Sequence, residues 1–303
     1  MKIGLVQDGR VLLQTEEPAN SRAGLKHGLP TLRSTWMRLL AQGNLDLNHC
    51  AGIAIAFPSL MDPQTGRVQT QYGKYADAVN FDFRAWAQAE FNLPLVIEND
   101  ARMALVGEWT HGAGRGTQSV TMITLGTGLG TAAIMEAKLV RGRHGQAGVL
   151  GGHLTVRYGG RECNCGNVGC AEAEASTVFL EQIATSLPGW ESSLLRRLPL
   201  SYAEVFRQAD SGDACALKLR EHSLQVWGTL AVNLIHAYDP EVLILGGGIM
   251  GGGDFILPAI TSYVRRHAHT PWGEVRIVAG ELGDAAALVA GEWLLRDQGI
   301  LAK

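Results

Sequence analysis

The stretch GGHLTVRYGGRECNCGNVGC (151–170) holds His153, Cys163, Cys165 and Cys170, and with them three of the five cysteines of a 303-residue chain. The spacing is H-x9-C-x-C-x4-C, with glycines at 159, 160, 166 and 169 that let the backbone fold around a centre. Three thiolates and an imidazole satisfy tetrahedral zinc, and a closed Cys3His set leaves no position for an activated water, so the role read here is structural. The alternatives are a disulfide or free thiols. A disulfide does not suit a reducing compartment, and free cysteines are expected scattered, as Cys50 and Cys215 are. A zinc-stapled loop raises the question of what the loop holds in place.

Outward from that loop, the length predicts two domains and hence a cleft. A net charge of -3, with 46% hydrophobic and 18% charged residues, offers no basic field for nucleic acid. The opening MKIGLVQDG has its apolar run broken at Gln7 and Asp8, and no apolar run reaches the ~18 residues of a membrane span. The expectation is a cytoplasmic protein with no membrane or nucleic-acid partner. Glycine is the outlier, 38 residues, grouped beside strand-like segments in LGTGLG (125–130), GVLGGH (148–153) and LGGGIMGGGD (245–254). Glycine at strand ends lets main chain approach a ligand closely, so these runs predict loops lining a ligand site.

KIGLVQ and RVLLQTE flank Asp8-Gly9, which predicts a hairpin. A helical stretch comes next over about 22–42, interrupted at Pro30. AGIAIAF (51–57) and LPLVIEN (93–99) read as buried strands, with a helix over FDFRAWAQAEFN between them. The pattern restarts near 118 with QSVTMITLG, GTAAIMEAKLV and HLTVR as strands. Helices are expected over 213–239 and 284–299, with the strand EVLILGGG directly after the first.

Three segments carry candidate chemistry. VIENDARMAL (96–105) ends a buried strand in Glu98-Asn99-Asp100 and enters a helix, the place where α/β folds present ligand-binding carboxylates. Asn99 or Asp100 serving only as a helix cap is the competing reading. The glycine turn of TLGTGLG (124–130) can present N–H groups to a phosphate, or can be a plain tight hairpin. VLILGGGIMGGG (242–253) has the same ambiguity and lacks a GxGxxG pattern.

Taken in order, AFPSLMD, ENDA, LGTGLG, AGVLGGH, CNCGNVGCAE and LGGGI resemble the ROK family of sugar kinases and sugar-responsive repressors, and the resemblance runs from about residue 3 to the C-terminus. It implies an α/β fold of the two-domain actin-like ATPase (ribonuclease H-like) type, with mixed sheets and a cleft. The domains expected are 1–103 plus 285–303, truncated at its first strand, and 104–284 with the zinc loop and nucleotide motifs. The implied activity is ATP-dependent phosphorylation of a hexose or N-acetylhexosamine hydroxyl, with Mg2+, by a homodimer. Asp100 would be the general base. Asn99 would bind the reacting hydroxyl and Ser59 would also touch the sugar; His153 would bind both zinc and sugar, and Glu172 would accept hydroxyls near the anomeric carbon. Gly126, Thr127, Gly128 and Gly130 would hold ATP phosphates, and Gly246, Gly247 and Gly248 would lie along the adenosine.

The sequence departs from the family pattern in places. Val149 stands where AGE-x-GH has a carboxylate, which should weaken the usual sugars by ~1–3 kcal/mol. Ser59 replaces a glycine after the proline. MKIGLV matches the segment just after the family's D-x-G-G-T turn, and no DxGGT occurs. Either the start codon is placed too late or the first strand is lacking, and the expectation is weak MgATP binding with sugar and zinc binding retained. A repressor would add a winged helix-turn-helix, whereas this chain opens in a hairpin. The stronger rival is a catalytically weakened homologue acting as a sugar-binding or regulatory protein.

Overall fold

The computed structural model describes every residue except 63, 71–73, 253 and 303, so Gly253 of the last glycine run lies outside the described residues. The chain forms two compact units, residues 1–116, 141–147 and 282–303 in one and 117–140 and 148–281 in the other. The position 103/104 expected for the domain boundary falls inside a continuous helix of the first unit.

In the first unit, β1 (Lys2–Gln7) and β2 (Arg10–Glu16) form the expected antiparallel hairpin. Asp8 and Gly9 have φ of 52° and 70°, the left-handed pair that a two-residue turn needs to match strand twist. Helix α1 (Leu25–Gln42) runs through Pro30 without a break. Proline costs one main-chain bond, the one to the carbonyl of Lys26, and at an exposed helix flank water can satisfy that carbonyl. The first amides of α1, on Leu25 and Lys26, are taken by the distant Asp77 carboxylate at 2.6 and 2.9 Å. β3 (Ile53–Phe57), α2 (Phe83–Phe91), β4 (Leu95–Asn99) and α3 (Asp100–His111) come next, with β3 and β4 parallel and Phe57 opposite Asn99. All five residues of β4 are buried, as its unbroken apolar run requires.

In the second unit, β5 (Val120–Leu125), β6 (Leu129–Met135) and β7 (Lys138–Leu139) form an antiparallel meander. Helices α4 (Ala171–Ala175), α5 (Leu180–Thr185), α6 (Tyr202–Asp210) and α7 (Ala214–Tyr238) lead to β8 (Val242–Gly246), and α8 (Ile256–His267) to β9 (Arg276–Ala279). The sheet order is β7-β6-β5-β8-β9, with β5, β8 and β9 parallel. Its core gathers Ile123, Leu125, Leu243 and Leu245 from the sheet against Trp227, Leu230 and Leu234 of α7. The chain ends in α9 (Ala286–Asp297), which packs on α3, β1 and β3 of the first unit.

HLTVR is not a strand. Residues 151–153 form a 3-10 turn, and beyond it only Thr155 makes a bridge, to Cys170. The alternating pattern is real, but the partner is the returning limb of the cysteine loop, which bends away after one pair; Val156 and Arg157 donate to Gly169 O at 2.8 and 3.3 Å.

Candidate functional site

In the first unit, β4 stops where α3 starts, and three side chains in a row fix the corner. Asn99 is the N-cap: its Oδ1 accepts from the N–H groups of Ala101 and Arg102 at 3.0 and 3.2 Å. Its Nδ2 donates to Ser59 O at 3.2 Å and to Asp100 Oδ1 at 3.1 Å. The capping role weighed against ligand binding is therefore present at Asn99, and the same amide orients the neighbouring carboxylate. Asp100 Oδ1 also accepts from Ala101 N at 2.9 Å. Burial pushes the Asp100 carboxyl up from its ordinary value, against the opposing pull of the Ala101 N–H and the Lys74 ammonium. By accessible surface Asp100 is nonetheless an exposed residue, so its carboxylate is reachable from solvent. Ser59 is buried, with its hydroxyl turned to Thr70 O and to Thr70 Oγ1 at 3.2 Å, so its contribution to the corner is the carbonyl that holds Asn99.

Behind the corner lies a network that sequence reading passed over. Glu98 accepts from Asn99 N at 2.9 Å and Arg102 at 3.1 Å on one oxygen, and from Arg141 Nε at 2.7 Å on the other. Arg102, only 1% exposed, also donates to the carbonyls of Gly145 and Ala147 at 2.9 and 2.7 Å. A charged pair this deep is tolerated because hydrogen bonds from several sides answer both charges. The signal was the i,i+4 spacing of Glu98 and Arg102 across the strand-to-helix junction, but helical spacing has no meaning where the first residue is in a strand.

In the second unit, the ligand atoms of His153, Cys163, Cys165 and Cys170 all lie within 4.8 Å of one another. Cys165 Sγ and Cys170 Sγ are 3.7 Å apart, and Cys163 Sγ is 3.5 Å from His153 Nδ1. A tetrahedron of sulfurs ~2.3 Å from a central zinc has edges of about 3.8 Å. The donor set and its size fit that ion. Burial, with the neighbouring thiols, pushes the Cys170 thiol up to about 12. Burial raises the Cys163 thiol as well, and a divalent cation bound among such thiols would favour their thiolate forms. With Nδ1 on the ligand side, the Nε2 edge of His153 points the opposite way.

His153 and Glu172 flank the same junction. Thr155 bridges Cys170, and Ala171 N donates to Leu154 O at 3.0 Å, which sets α4 directly after the last cysteine. Glu172 Oε2 accepts from Leu129 N at 3.0 Å, and a side chain on Gly128 would collide with that oxygen. The turn is also held from outside, since Thr177 N and Val178 N donate to the carbonyls of Gly126 and Thr127 at 3.2 and 3.0 Å. Within it, Gly126 N is spent on Gly128 O at 3.1 Å and Gly130 lies in the ladder opposite Thr124, while Thr127 sits exposed at the tip. The Thr131 hydroxyl, buried in β6, donates to Gly148 O at 2.7 Å and accepts from Gly151 N at 2.8 Å, which ties the 148–153 segment to the same strand. Val149 is buried in that segment.

At the end of β8, Gly247 has φ of 92°, and a side chain there would overlap the Leu125 main chain. Gly247 thus abuts the root of the 126–130 turn and Gly246 pairs with Thr124 beside it, while Gly247 and Gly248 are open to solvent.

The model of the ROK family matches residues 1–298, and the chain belongs to that family. It is 30% identical to a glucokinase of Halalkalibacterium halodurans, over 97% of this chain and 91% of that one. Among solved structures, a ROK hexokinase from Thermus thermophilus superposes with a TM-score of 0.80 at 27% identity, over 96% of this chain and 94% of the other. A ROK glucokinase from Streptomyces griseus, determined with glucose and AMPPNP, gives 0.77 at 28% identity, over 98% and 96%. The fold is the mixed α/β actin-like ATPase type of these sugar kinases. No helix among the described residues is long and apolar enough to cross a membrane.

Proposed function

We propose that this member of the ROK family is a sugar kinase that transfers the γ-phosphoryl group of ATP to a hydroxyl of a hexose or N-acetylhexosamine. The observation that carries the reading is the Asp100 corner: a solvent-reachable carboxylate, raised in pKa by burial and aimed by Asn99 and Ala101. A base whose pKa is lifted toward the operating pH takes a proton more effectively than an ordinary carboxylate. Asp100 accepts the hydroxyl proton, the sugar oxygen bonds to the γ-phosphorus, and the bond to the β–γ bridging oxygen breaks to release ADP. Asn99 and Ser59 keep the base in its rotamer, and Asn99 would bind the reacting hydroxyl by exchanging its bond to Asp100 Oδ1 for one to the sugar oxygen. Mg2+ supplies charge neutralisation for the phosphates when bound.

Glu172 accepts further sugar hydroxyls, and His153 donates from Nε2 while Nδ1 holds zinc. The zinc loop works as a jig for those two side chains. The exposed Thr127 and the adjoining Gly128 main chain receive phosphates, with Gly126 and Gly130 shaping the turn, and the Gly246, Gly247 and Gly248 edge receives the adenosine. The protein assembles as a homodimer. Val149, an apolar residue, gives no hydroxyl acceptor, so the preferred sugar is one that does not rely on an acceptor there.

The test is ADP release coupled to a reporter over a panel of hexoses and N-acetylhexosamines, with Asp100→Asn alongside. Sugar-dependent release lost in the variant supports the kinase. Sugar binding by calorimetry with no release from the wild type supports the sugar-binding or regulatory alternative.

A further inference from the structure

Helix α4 carries Glu172 yet is only five residues long, far short of the ~12–15 that let a helix persist by its own hydrogen bonds. Something outside it must hold its pitch and its rotation. Three attachments are on hand. Cys170, its N-cap, belongs to the metal set. Ala175 O, at the other end, accepts from Trp227 Nε1 of α7 at 2.9 Å. The third is Glu174, whose side chain is wholly buried on the flank of the helix turned to the cysteine loop.

The Glu174 carboxylate is gripped by that loop and by α7. Arg161 gives it both main-chain N–H, at 2.7 Å to Oε1, and guanidinium, at 2.8 Å to Oε2. Arg157 approaches Oε2 at 3.5 Å, and His222 Nε2 lies 3.3 Å from it. The same His222 nitrogen is 2.9 Å from the Glu174 main-chain carbonyl, so one imidazole N–H reaches both ends of the residue. Gly160 leaves the space: a side chain there would overlap Glu174 Oε1. Burial holds His222 below its ordinary value, so it serves as a neutral donor. None of these groups is a metal ligand, and Arg161 stands two residues before Cys163.

We propose that Glu174, clasped by Arg161 and His222, is a positioning residue that fixes α4 against the cysteine loop and so sets both the metal geometry and the place of Glu172. It acts through these neighbours and does not touch sugar or nucleotide. The metal staples the loop to the first residue before α4; the clasp staples the same loop to the far turn of α4. Without the clasp, α4 keeps only its Cys170 end and the Trp227 bond to Ala175 O, and a five-residue helix can rotate about the line that joins them. The sugar part of the inference rests on the kinase reading, while the metal part stands without it.

The experiment compares wild type, Glu174→Gln and Arg161→Lys as zinc-loaded full chains. Three quantities are measured: the rate at which a chelator strips zinc, amide exchange of a peptide containing Leu129, and sugar KM and kcat in the ADP-release assay. Glutamine keeps the shape and loses the charge that draws two arginines. Zinc affinity is expected to fall ~10–100-fold, the usual cost of losing a partner behind a metal site. Exchange at Leu129 should quicken, since its N–H bonds Glu172. Sugar KM should rise with kcat nearly unchanged, and Arg161→Lys, which keeps a cation and the main-chain donor, should be intermediate in all three. If Glu174→Gln does not fold, the milder Arg161→Lys decides by the same readouts. Wild-type zinc stripping and wild-type Leu129 exchange in the folded variants would overturn the clasp. If no protein shows kinase activity while stripping and exchange change as stated, the kinase reading fails and the clasp stands.

Discussion

Replacing Asp100 with asparagine separates the base from the helix start more cleanly than any other change at this corner. The two hydrogen bonds that Asp100 Oδ1 accepts, from Ala101 N and Asn99 Nδ2, can be accepted equally by an asparagine oxygen, so α3 should begin where it does now. What is lost is the ability to take a proton. Removing a general base costs ~10²–10⁴-fold in turnover, which is about 2.7–5.4 kcal/mol of transition-state stabilisation. Stability should move the other way. Burial raises the carboxyl in the folded chain above its unfolded value, so the folded chain binds that proton more tightly and stability falls as pH rises through the window between the two. Above the folded value the wild type carries a constant penalty that asparagine does not. The variant should therefore melt at or above the wild type at pH 7–8, and the gap should close on approach to pH 4. In the ADP-release assay the wild-type kcat/KM profile should show an acid limb above the ordinary carboxylate range, absent from the residual rate of the variant. A variant that keeps most of its kcat, or an identical acid limb in both proteins, would show that Asp100 only starts the helix.

Metal analysis of protein purified without added zinc should give close to one equivalent per chain, and Cys165→Ser should lose it with a lower melting temperature; a metal-free, stable wild type refutes the centre. Gly128→Ala places a methyl group on Glu172 Oε2 and should raise sugar KM by ~10–100-fold through displacement of that acceptor, an effect that Glu172→Gln should largely absorb in the double variant. His222 is half-buried against Glu174, Arg161 and Arg157 with its pKa lowered by burial, so the unfolded chain binds that proton more readily and stability should fall as pH drops below ~6.5. Melting curves from pH 7.5 to 5.5 should show a shallower loss in His222→Gln than in the wild type, and parallel curves would exclude the contribution.

The features legible in the sequence are those whose chemistry is restrictive and local. Asp8-Gly9 had to turn because both residues tolerate positive φ between two alternating runs. His153, Cys163, Cys165 and Cys170 sit within 18 positions, and their side-chain ligand atoms come together as that spacing led one to expect. β4 and its carboxyl-end acid were readable because an unbroken apolar run that stops at Glu-Asn-Asp fits few other structures. Misreadings came where a local rule met a distant partner. Pro30 did not break α1, because the start of that helix is fixed by Asp77, fifty-odd positions on. HLTVR had the alternation of a strand, but pairing there needs a limb that the cysteine turn withdraws after one residue.

The glycine turn shows the limit most plainly. LGTGLG was readable as a place where main-chain amides become available, and the competing hairpin reading was equally true, since the turn does join β5 to β6. What no local pattern tells is which amides are already engaged. Leu129 N is bonded to Glu172, 43 positions away, and Glu172 is in turn placed by a helix whose flank is anchored through Glu174 to residues 13, 17 and 48 positions distant. Carboxylates that orient other groups carry no spacing rule, because any cation or amide the fold brings near can satisfy them. The pair Glu172 and Glu174 makes the point within one helical turn. They are two residues apart and chemically identical; one faces the glycine turn and accepts from Leu129 N, and the other is sealed against arginines and a histidine. Only the rotation of α4 distinguishes them, and that rotation is set by contacts from the cysteine loop and α7.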